Sequence, residues 1–435
     1  MRSNQPKLEV VYALISSLRV DPRAPRTRDK RHVKQLAKSI DTFGFNVPVA
    51  IDDEMNIVSG HGRIEAALLL GMTEVPTIRL SHLSPRQRQA FMIADNRMSD
   101  QSRWNKLLLG GILVELADAD LDFDLDATGF SVAEIDLLIA PEDPFDGEGP
   151  VPMPGGPAVT QLGDRWVLGD HAIVCGSALD PVVYRDLMGT ERASVVVTDP
   201  PFNVPIAGNV SGLGRVKHSD FVEGCGEMSE REFTLWLEGA MRLAATYSRD
   251  GSLHYWAMDW RHLYELTTAA RAVYDEQINL CVWAKPVAGM GSFYRSQHEL
   301  FAVWRKGRTR NRNNVQLGRF GRSRTNIWTY AGATGGGMKT DEGNLLELHP
   351  TSKPVAMLAD VLLDCTKRRE IVLDPFLGGG STIIAAEKVG RRARGIELDP
   401  AYVDVAIRRW QRWTGEHARL ESDGLLFNDI ERSRG

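Results

Sequence analysis

Apolar residues in the second half of the chain follow two alternating spacings. The runs SVVVT (194–198) and EIVLD (370–374) are short and rich in β-branched residues, which predicts buried strands. The segments REFTLWLEGAMRLAATYS and KPVAMLADVLLDCT repeat apolar residues three and four positions apart, which predicts amphipathic helices. Strands that alternate with helices from about residue 160 onward predict an α/β fold, with a mostly parallel sheet covered on both faces.

The first hundred residues predict a smaller α+β domain. VPVAIDDEMNIVSG predicts a strand, a turn and a strand, GHGRIEAALLLGM a glycine turn that opens a helix, and EVPTIRL a further strand. SPRQRQAFMIADNRMSD predicts a second helix, with Ser84 as its cap and Pro85 at its first position.

The stretch between these two parts is acidic and contains one short predicted helix, SVAEIDLLIA. It ends in GEGPVPMPGGP (147–157), whose proline and glycine content is typical of a linker. We therefore predict a domain at 1–100, a helical segment with an acidic, Pro/Gly-rich linker at 101–160, and a larger domain at 161–435.

Composition narrows the class of protein. The 435 residues exceed what one core usually supports, and 43% hydrophobic with 25% charged residues is typical of a globular chain. Neither a membrane span nor a signal peptide is evident. Four scattered cysteines, Cys175, Cys225, Cys281 and Cys365, predict neither a metal site nor disulfides. We expect a cytoplasmic protein that makes no membrane contact.

One glycine-rich segment predicts a ligand site. In IVLDPFLGGGSTIIAAEKVGRRARGIELDP a strand ends at Asp374, glycines 378–380 form a tight turn, and a later strand ends at Glu397. The glycines let a ligand approach the backbone, and an acid about 20 residues further on suits ribose hydroxyls. Because the pattern is neither GxGxxG nor a Walker sequence, an adenosine ligand without phosphates fits best.

The segment TDPPF ends another predicted strand. Two prolines fix the backbone and remove two donors, so Asp199-Pro200-Pro201-Phe202 ends the strand firmly. By itself this permits either a rigid exit loop or a site, because open α/β sheets bind ligands at the carboxyl ends of their strands.

Together, TDPPF, HPTSKP (349–354) and DPFLGGGST, in this order, resemble the beta subgroup of the DNA amino-methyltransferases, the adenine-N6/cytosine-N4 family. The resemblance covers about residues 160–415 and implies a Rossmann-like domain that uses S-adenosyl-L-methionine. It also implies double-stranded DNA as the partner and site-specific methylation of an exocyclic amino nitrogen. An aspartate at the first position of the tetrapeptide favours adenine, since serine is more frequent in cytosine-N4 relatives.

The resemblance assigns roles to individual residues. Asp199 and the Pro200 carbonyl would accept the amino hydrogens, Pro201 would fix the loop, and Phe202 would stack on a flipped-out base. The cofactor-binding residues would be Ser177, Thr351, Lys353, Asp374, Phe376, Gly378, Gly380, Ser381, Thr382 and Glu397. At Ser177 relatives often carry an acid, so this chain departs from their pattern there.

A basic segment lies between the two groups of motifs, where the subgroup keeps its target-recognition region (about 286–345). No acid occurs after Glu299 until Asp341, and asparagine, glutamine and aromatic residues are interleaved with the arginines. Such a run is either a solvated face or a DNA-binding surface. The predicted DNA-binding residues are Arg295, Arg305, Arg308, Arg310, Arg312, Arg319, Arg322 and Arg324.

The first domain resembles the N-terminal domain of ParB partition proteins, a fold shared with sulfiredoxin. The resemblance points to a nucleotide at Gly60, His61, Arg63, Asn96 and Arg97, with the helix start as an anion site. His61 stands where sulfiredoxin carries its cysteine, which excludes thiol chemistry. An inert module that docks or clamps DNA remains an equal alternative.

Three other functions stay open at this level. The chain could be a cytosine-N4 enzyme, an RNA or protein amide methylase, or a ParB-like DNA-binding or regulatory protein with a residual methylase domain. No endonuclease constellation is evident, which favours a stand-alone methylase of the restriction-modification type, with any endonuclease on a separate chain. Dimers are common in the subgroup, so a homodimer also stays open.

Overall fold

The computed structural model describes residues 7–20, 30–101, 104–119, 121–139, 157–204, 226–285, 288, 293–318, 322–330 and 353–434. The chain divides into two compact units, residues 1–139 and 140–435. Predicted elements that fall on the remaining residues, including the 147–157 linker, lie outside the described residues.

The first unit contains a four-stranded sheet with the strand order β1-β4-β2-β3. Its strands are β1 (Val10–Leu14), β2 (Val49–Ile51), β3 (Ile57–Ser59) and β4 (Glu74–Arg79). Its helices are α1 (Lys30–Phe43), α2 (His61–Leu69), α3 (Pro85–Gln101), α4 (Lys106–Asp118) and α5 (Val132–Ile139). The predicted strand, turn, strand, helix and strand are therefore present, and Pro85 is the first residue of α3 as expected.

Short polar contacts join α1 to the turn that precedes α5. The Gln35 side chain donates to the Gly129 carbonyl at 2.8 Å, and Lys38 forms an ion pair with Asp126. The rings of Phe43 and Phe123 also meet edge to face, with centroids 5.1 Å apart. Residues 121–139 are thus packed into the first unit.

The second unit is built on a ten-stranded sheet with the order β11-β9-β10-β8-β7-β12-β13-β6-β5-β14. Its strands are β5 (Arg165–Leu168), β6 (His171–Cys175), β7 (Ala193–Thr198), β8 (Ser248–Met258), β9 (Glu276–Ala284), β10 (His298–Arg305), β11 (Ile327–Thr329), β12 (Ile371–Asp374), β13 (Arg392–Glu397) and β14 (Arg419–Leu420). Its helices are α6 (Pro181–Met188), α7 (Glu230–Thr246), α8 (Leu263–Arg271), α9 (Val355–Cys365), α10 (Ser381–Lys388), α11 (Pro400–Thr414) and α12 (Phe427–Arg434).

The sheet is parallel at its centre and mixed towards its edges. Strands β8, β7, β12, β13 and β6 run parallel, whereas β10 pairs antiparallel with both β8 and β9. The expectation of a mostly parallel sheet is therefore confirmed for the centre, while β5, β10 and β14 pair antiparallel and the outermost β11 pairs parallel with β9. The two residues between β5 and β6 form a hairpin turn, which makes these strands antiparallel, while the central parallel strands are joined through helices.

Both faces of the central strands are buried. Along β7, Val195 and Val197 face one core with helices α9, α10 and α11, whereas Val196 between them faces a second core with α6, α7 and α8. This two-residue alternation explains why SVVVT is continuously apolar, since neither face of the strand meets water.

Among the described residues, no helix is long and apolar enough to cross a membrane. Cys175, Cys281 and Cys365 are buried free thiols, and burial raises the pKa of each to about 12. These thiols are therefore protonated and unreactive at neutral pH.

Candidate active site at the carboxyl edge of the parallel strands

The carboxyl ends of β7, β12 and β13 meet at one edge of the sheet. They carry Asp199, Asp374 and Glu397. Asp199 and Asp374 come from separate motifs that lie 175 positions apart in the sequence. The Thr198 hydroxyl donates to Asp374 Oδ1 at 2.7 Å and ties the end of β7 to the end of β12. The parallel register thus brings the predicted catalytic and cofactor residues together.

The tetrapeptide loop after β7 is fixed at both ends. Pro200 is buried and Phe202 is half-buried against both cores. Asn203 follows with φ +53°, its amide donates to the Met228 carbonyl at 2.8 Å, and its carbonyl accepts from Gly226 N at 3.0 Å. Asparagine tolerates this left-handed backbone better than most residues. Sequence analysis missed Asn203, although asparagine directly after a rigid turn is a usable signal.

A row of four alternating charges runs away from this loop. Lys353 forms ion pairs with Asp199 and with Glu299, whose Oε2 lies 2.9 Å from Lys353 Nζ. Glu299 also pairs with Lys285, which follows β9. We call Asp199, Lys353, Glu299 and Lys285 the charged row. The resemblance assigns Lys353 to the cofactor, and the structure places its ammonium between the carboxylates of Asp199 and Glu299. A cofactor contact of Lys353 stays a prediction.

Burial and charge compete in the charged row. Burial raises the pKa of Asp199 above its ordinary value, while the Lys353 ammonium opposes the rise. Burial acts the same way on Glu299, but Lys353 and Lys285 outweigh it and lower the pKa of that carboxyl. Burial alone would lower the pKa of Lys353, yet the two carboxylates raise it. Lys353 therefore stays charged and serves as a permanent counter-ion.

One oxygen of Asp199 is not used by the fold. Lys353 binds Oδ2, whereas Oδ1 is buried and has no hydrogen-bond partner among the residues that the structure describes. A buried acceptor without a partner costs free energy, and such atoms concentrate at functional sites. Oδ1 is therefore an acceptor that the described residues leave unused, in the residue directly before Pro200.

Asp374 joins three elements. Its carboxylate accepts from Thr198, from Thr382 Oγ1 at 2.6 Å and from Phe376 N at 3.1 Å. Burial raises the pKa of Asp374 to about 6. These bonds tie Asp374 and Thr382 into the loop that follows β12, and a cofactor contact of either residue stays a prediction.

Glu397 holds the glycine turn. Its Oε2 accepts from Gly378 N at 2.7 Å, its Oε1 accepts from Asp399 N at 2.9 Å, and burial raises the pKa of Glu397 to about 7. Each carboxylate oxygen has further lone pairs, so Glu397 can accept additional hydrogen bonds. A Cβ built on Gly378 would meet no described atom within 4 Å, which leaves open space above the turn.

The remaining predicted cofactor residues surround this turn. Gly176 N donates to the Glu397 carbonyl at 2.9 Å, which places Ser177 beside the end of β13. The Phe376 ring packs against Trp236, with centroids 5.3 Å apart. Ser381 begins α10 and is buried, and Gly380 precedes it with φ +82°. Thr351 lies outside the described residues.

Three family models match the chain. The model described as DNA methylase covers residues 193–408, which include the tetrapeptide, the charged row and the glycine turn. The ParB N-terminal domain covers residues 1–96 and the ParB-methyltransferase HTH domain residues 108–162. The chain belongs to the ParB-linked DNA methylases of the N6/N4 family.

Relatives of this methylase match its parts separately. It is 42% identical over 83 residues to the ParB-like nuclease domain-containing protein YnaK of Escherichia coli (strain K12), which is 19% of this chain and 95% of YnaK. It is 27% identical over 239 residues to the type II methyltransferase M.HinfI of Haemophilus influenzae, which is 50% of this chain and 63% of that enzyme. The solved PvuII DNA methyltransferase (cytosine-N4-specific) is 14% identical, covers 62% of this chain and 94% of its own, and has a TM-score of 0.45.

Several arginines of the methylase that are predicted to bind DNA form ion pairs within the fold. Arg322 and Arg324 both bridge Asp360 and Asp364 on α9, at distances of 2.8 to 3.1 Å. We call these four residues the α9 clamp. The two carboxylates compensate the charges of both guanidinium groups and tie segment 322–330 to α9, while DNA binding by Arg322 and Arg324 stays a prediction.

The other arginines of the basic segment differ in exposure. Arg305 pairs with Glu276 at 2.5 Å, and Arg312 lies 3.5 Å from Glu370, so their charges are also compensated. Arg295, Arg308 and Arg310 are exposed. Arg319 lies outside the described residues.

Three of the five predicted nucleotide-binding residues of the methylase, Gly60, His61 and Arg63, lie where α2 begins. Gly60 caps α2 with φ +99°, His61 is its first residue, and the Arg63 guanidinium donates to the Val47 carbonyl at 3.1 Å. Asp95 on α3 lies beside Arg63 and accepts from the Ser59 hydroxyl at 2.6 Å. Arg97 is exposed, and the side chain of Asn96 lies outside the described set. These contacts turn Arg63 toward the protein.

Proposed function

We propose that this chain transfers the methyl group of S-adenosyl-L-methionine to the N6 amino nitrogen of adenine in double-stranded DNA. The observation that carries the proposal is Asp199 Oδ1, a buried acceptor with no partner among the described residues, in the residue directly before Pro200. A neutral amino group with two hydrogens is the kind of ligand that satisfies two adjacent acceptors at once.

The acceptor pair would prepare the amino group for reaction. The lone pair of an aromatic amino nitrogen is delocalised into the ring, so the nitrogen is a poor nucleophile. Hydrogen bonds from both amino hydrogens to Asp199 and Pro200 pull it toward tetrahedral geometry and localise the lone pair. The prolines and the Thr198–Asp374 bond fix these acceptors beforehand, so no rearrangement opposes the reaction.

The residues around the glycine turn fit an adenosine ligand. The open space above Gly378 admits a ligand close to the backbone, and Glu397 retains lone pairs for ribose hydroxyls. Ser177 and Phe376 lie beside the same strand ends. S-adenosyl-L-methionine, bound there, would supply an electrophilic methyl group on a sulfonium centre.

DNA would be held by the exposed part of the basic segment. Arg295, Arg308 and Arg310 are exposed, and the neighbouring Phe293 and Tyr294 rings are 85% and 87% exposed. Large exposed aromatic rings next to arginine suit stacking and phosphate contacts. A base inside a duplex must leave the stack to reach Asp199, at a cost of a few kcal/mol.

Product analysis tests the proposal. Purified protein is incubated with duplex DNA and S-adenosyl-L-methionine, the DNA is digested to nucleosides, and mass spectrometry identifies the methylated base. We expect N6-methyladenine, because an aspartate opens the tetrapeptide. N4-methylcytosine alone would overturn the choice of adenine but leave amino methylation standing. Absence of any methylated nucleoside in substrates of diverse sequence would overturn the proposed function.

Glu397 makes cofactor binding depend on pH. Its pKa is raised to about 7, so the carboxylate is ionised above and protonated below that value. If ribose hydroxyls need the ionised acceptor, affinity for S-adenosyl-L-methionine falls about tenfold between about pH 8 and pH 6. Calorimetric titrations across this range measure the change. In Glu397→Gln the affinity should be weak and independent of pH, and a flat profile for the unmodified protein would contradict the assignment.

A further inference from the structure

Glu299 belongs to none of the motifs that point to methyl transfer, yet it lies at the centre of the charged row. It is the second residue of β10, and β10 pairs antiparallel with β9 so that Glu299 faces Trp283, two residues before Lys285. Its side chain is buried, with about a tenth of its surface exposed (10%). A buried carboxylate in a sheet requires a reason, because removing its charge from water is costly.

The two lysines account for Glu299. One carboxylate oxygen contacts Lys285 and the other lies 2.9 Å from Lys353 Nζ. Lys353 in turn contacts Asp199 Oδ2, so Glu299 reaches the catalytic carboxylate through a single shared ammonium. The charges of the row alternate from acid to base along its whole length, and each inner member has two partners.

This arrangement decides which oxygens of Asp199 stay available. If Glu299 were absent, Lys353 would lose one of its two carboxylate partners in the charged row, and its donors would compete more strongly with the amino group of the substrate for Asp199. With Glu299 present, Lys353 is held on the Oδ2 side and Oδ1 stays open. Lys353 can also transfer hydrogen bonding to Glu299 when an amino group binds Asp199.

We propose that Glu299 is a positioning residue for methyl transfer, which holds Lys353 beside Asp199 as a counter-ion while leaving Asp199 Oδ1 open to the amino group. The inference rests on the proposed function and extends it to a residue outside the recognised motifs. Glu299 touches no reacting atom, and it acts through Lys353.

The charges that face Asp199 predict how the pH dependence of the reaction changes when one of them is removed. They come from all the elements packed around it: Lys353 before α9, Glu299 on β10, Lys285 after β9 and Asp374 on β12. The negative charge of Glu299 favours the protonated form of Asp199, and the positive charge of Lys285 favours the ionised form. Neutralising these two residues must therefore displace the ionisation of Asp199 in opposite directions.

The experiment compares pH profiles of kcat/KM for DNA in Glu299→Gln and Lys285→Met. In E299Q we expect kcat to fall about tenfold because the attraction of Lys353 to Asp199 is no longer balanced by a second negative charge, and the acid limb to move to lower pH. In K285M the acid limb should move to higher pH. The Kd for S-adenosyl-L-methionine should stay unchanged in both. Glu238→Gln, an α7 carboxylate paired with Arg242, is the matched control and should resemble the unmodified protein.

Three results would overturn the inference. The first is an E299Q variant with an unaltered rate, and the second is an E299Q variant with a reduced rate and an unmoved acid limb. The third is an acid limb that moves in the same direction in E299Q and in K285M. If E299Q fails to fold, which thermal melting detects, the direction of the K285M shift still decides. Failure of the proposed function would look different, since the unmodified protein would then methylate no base at all.

Discussion

Asp199→Asn should lower the rate of methyl transfer by at least about 10²-fold, which is the loss of one charge-assisted hydrogen bond in the transition state. The amide can place a donor where the amino hydrogen needs an acceptor, and it leaves Lys353 with Glu299 as its remaining carboxylate partner in the charged row. Transfer of a radiolabelled methyl group to duplex DNA under single-turnover conditions measures the rate.

Cofactor affinity separates this effect from misfolding. S-adenosyl-L-methionine should bind Asp199→Asn within about threefold of the unmodified protein, because Asp199 contacts the substrate side of the site. Asp423→Asn is the control, since Asp423 is exposed and its carboxylate accepts from Leu425 N at 2.9 Å, remote in sequence from the motifs. A D199N variant that keeps full turnover would remove Asp199 from the mechanism.

The second large effect is expected at Gly380. An alanine Cβ there would lie 2.7 Å from Ala406 Cβ and 3.0 Å from Ala406 Cα, and Gly380 also has φ +82°. Ala406 lies on α11 in the core, so the neighbour cannot move aside. Overpacking and the left-handed backbone together should lower the free energy of unfolding by about 3 kcal/mol in Gly380→Ala. Denaturant titration followed by tryptophan fluorescence measures the loss.

Gly378→Ala provides the contrast two residues away. Its φ of +53° costs about 1 kcal/mol for alanine, and its Cβ would meet no described atom within 4 Å. Stability should therefore change little, whereas affinity for S-adenosyl-L-methionine should fall at least about tenfold, because the methyl group fills the space left for the ligand. Equal stability losses in the two variants, or full cofactor affinity in G378A, would contradict this account of the turn.

The sequence predicted the parts of the site that depend on local pattern. Asp199, Asp374 and Glu397 each end a strand whose β-branched residues are buried on both faces, and parallel strands place their carboxyl ends on one edge. The glycine turn could also be predicted from the sequence, because Gly378 and Gly380 adopt a left-handed backbone that residues other than glycine avoid. Order along the chain was enough to bring these residues together.

What the sequence does not show are contacts between residues that are distant along the chain. HELFAVWR looks like an ordinary strand, and only the folded structure shows that Glu299 lies between Lys285, which follows the paired strand β9, and Lys353. Likewise, Arg322 and Arg324 lie in a segment without acids, so they looked solvated or DNA-bound. The carboxylates that neutralise them stand one helical turn apart on α9, and spacing in sequence gives no sign of that contact.

The α9 clamp has a mechanical consequence. Segment 322–330 lies inside the region that the family resemblance gives to target recognition. Ion pairs of Arg322 and Arg324 attach this segment to the second and third turns of α9. The first turn of the same helix begins at Val355, two residues after Lys353. A short helix is stiff over such a length, so α9 couples segment 322–330 mechanically to Lys353. A displacement of that segment would therefore be transmitted along α9 to the ammonium that contacts Asp199.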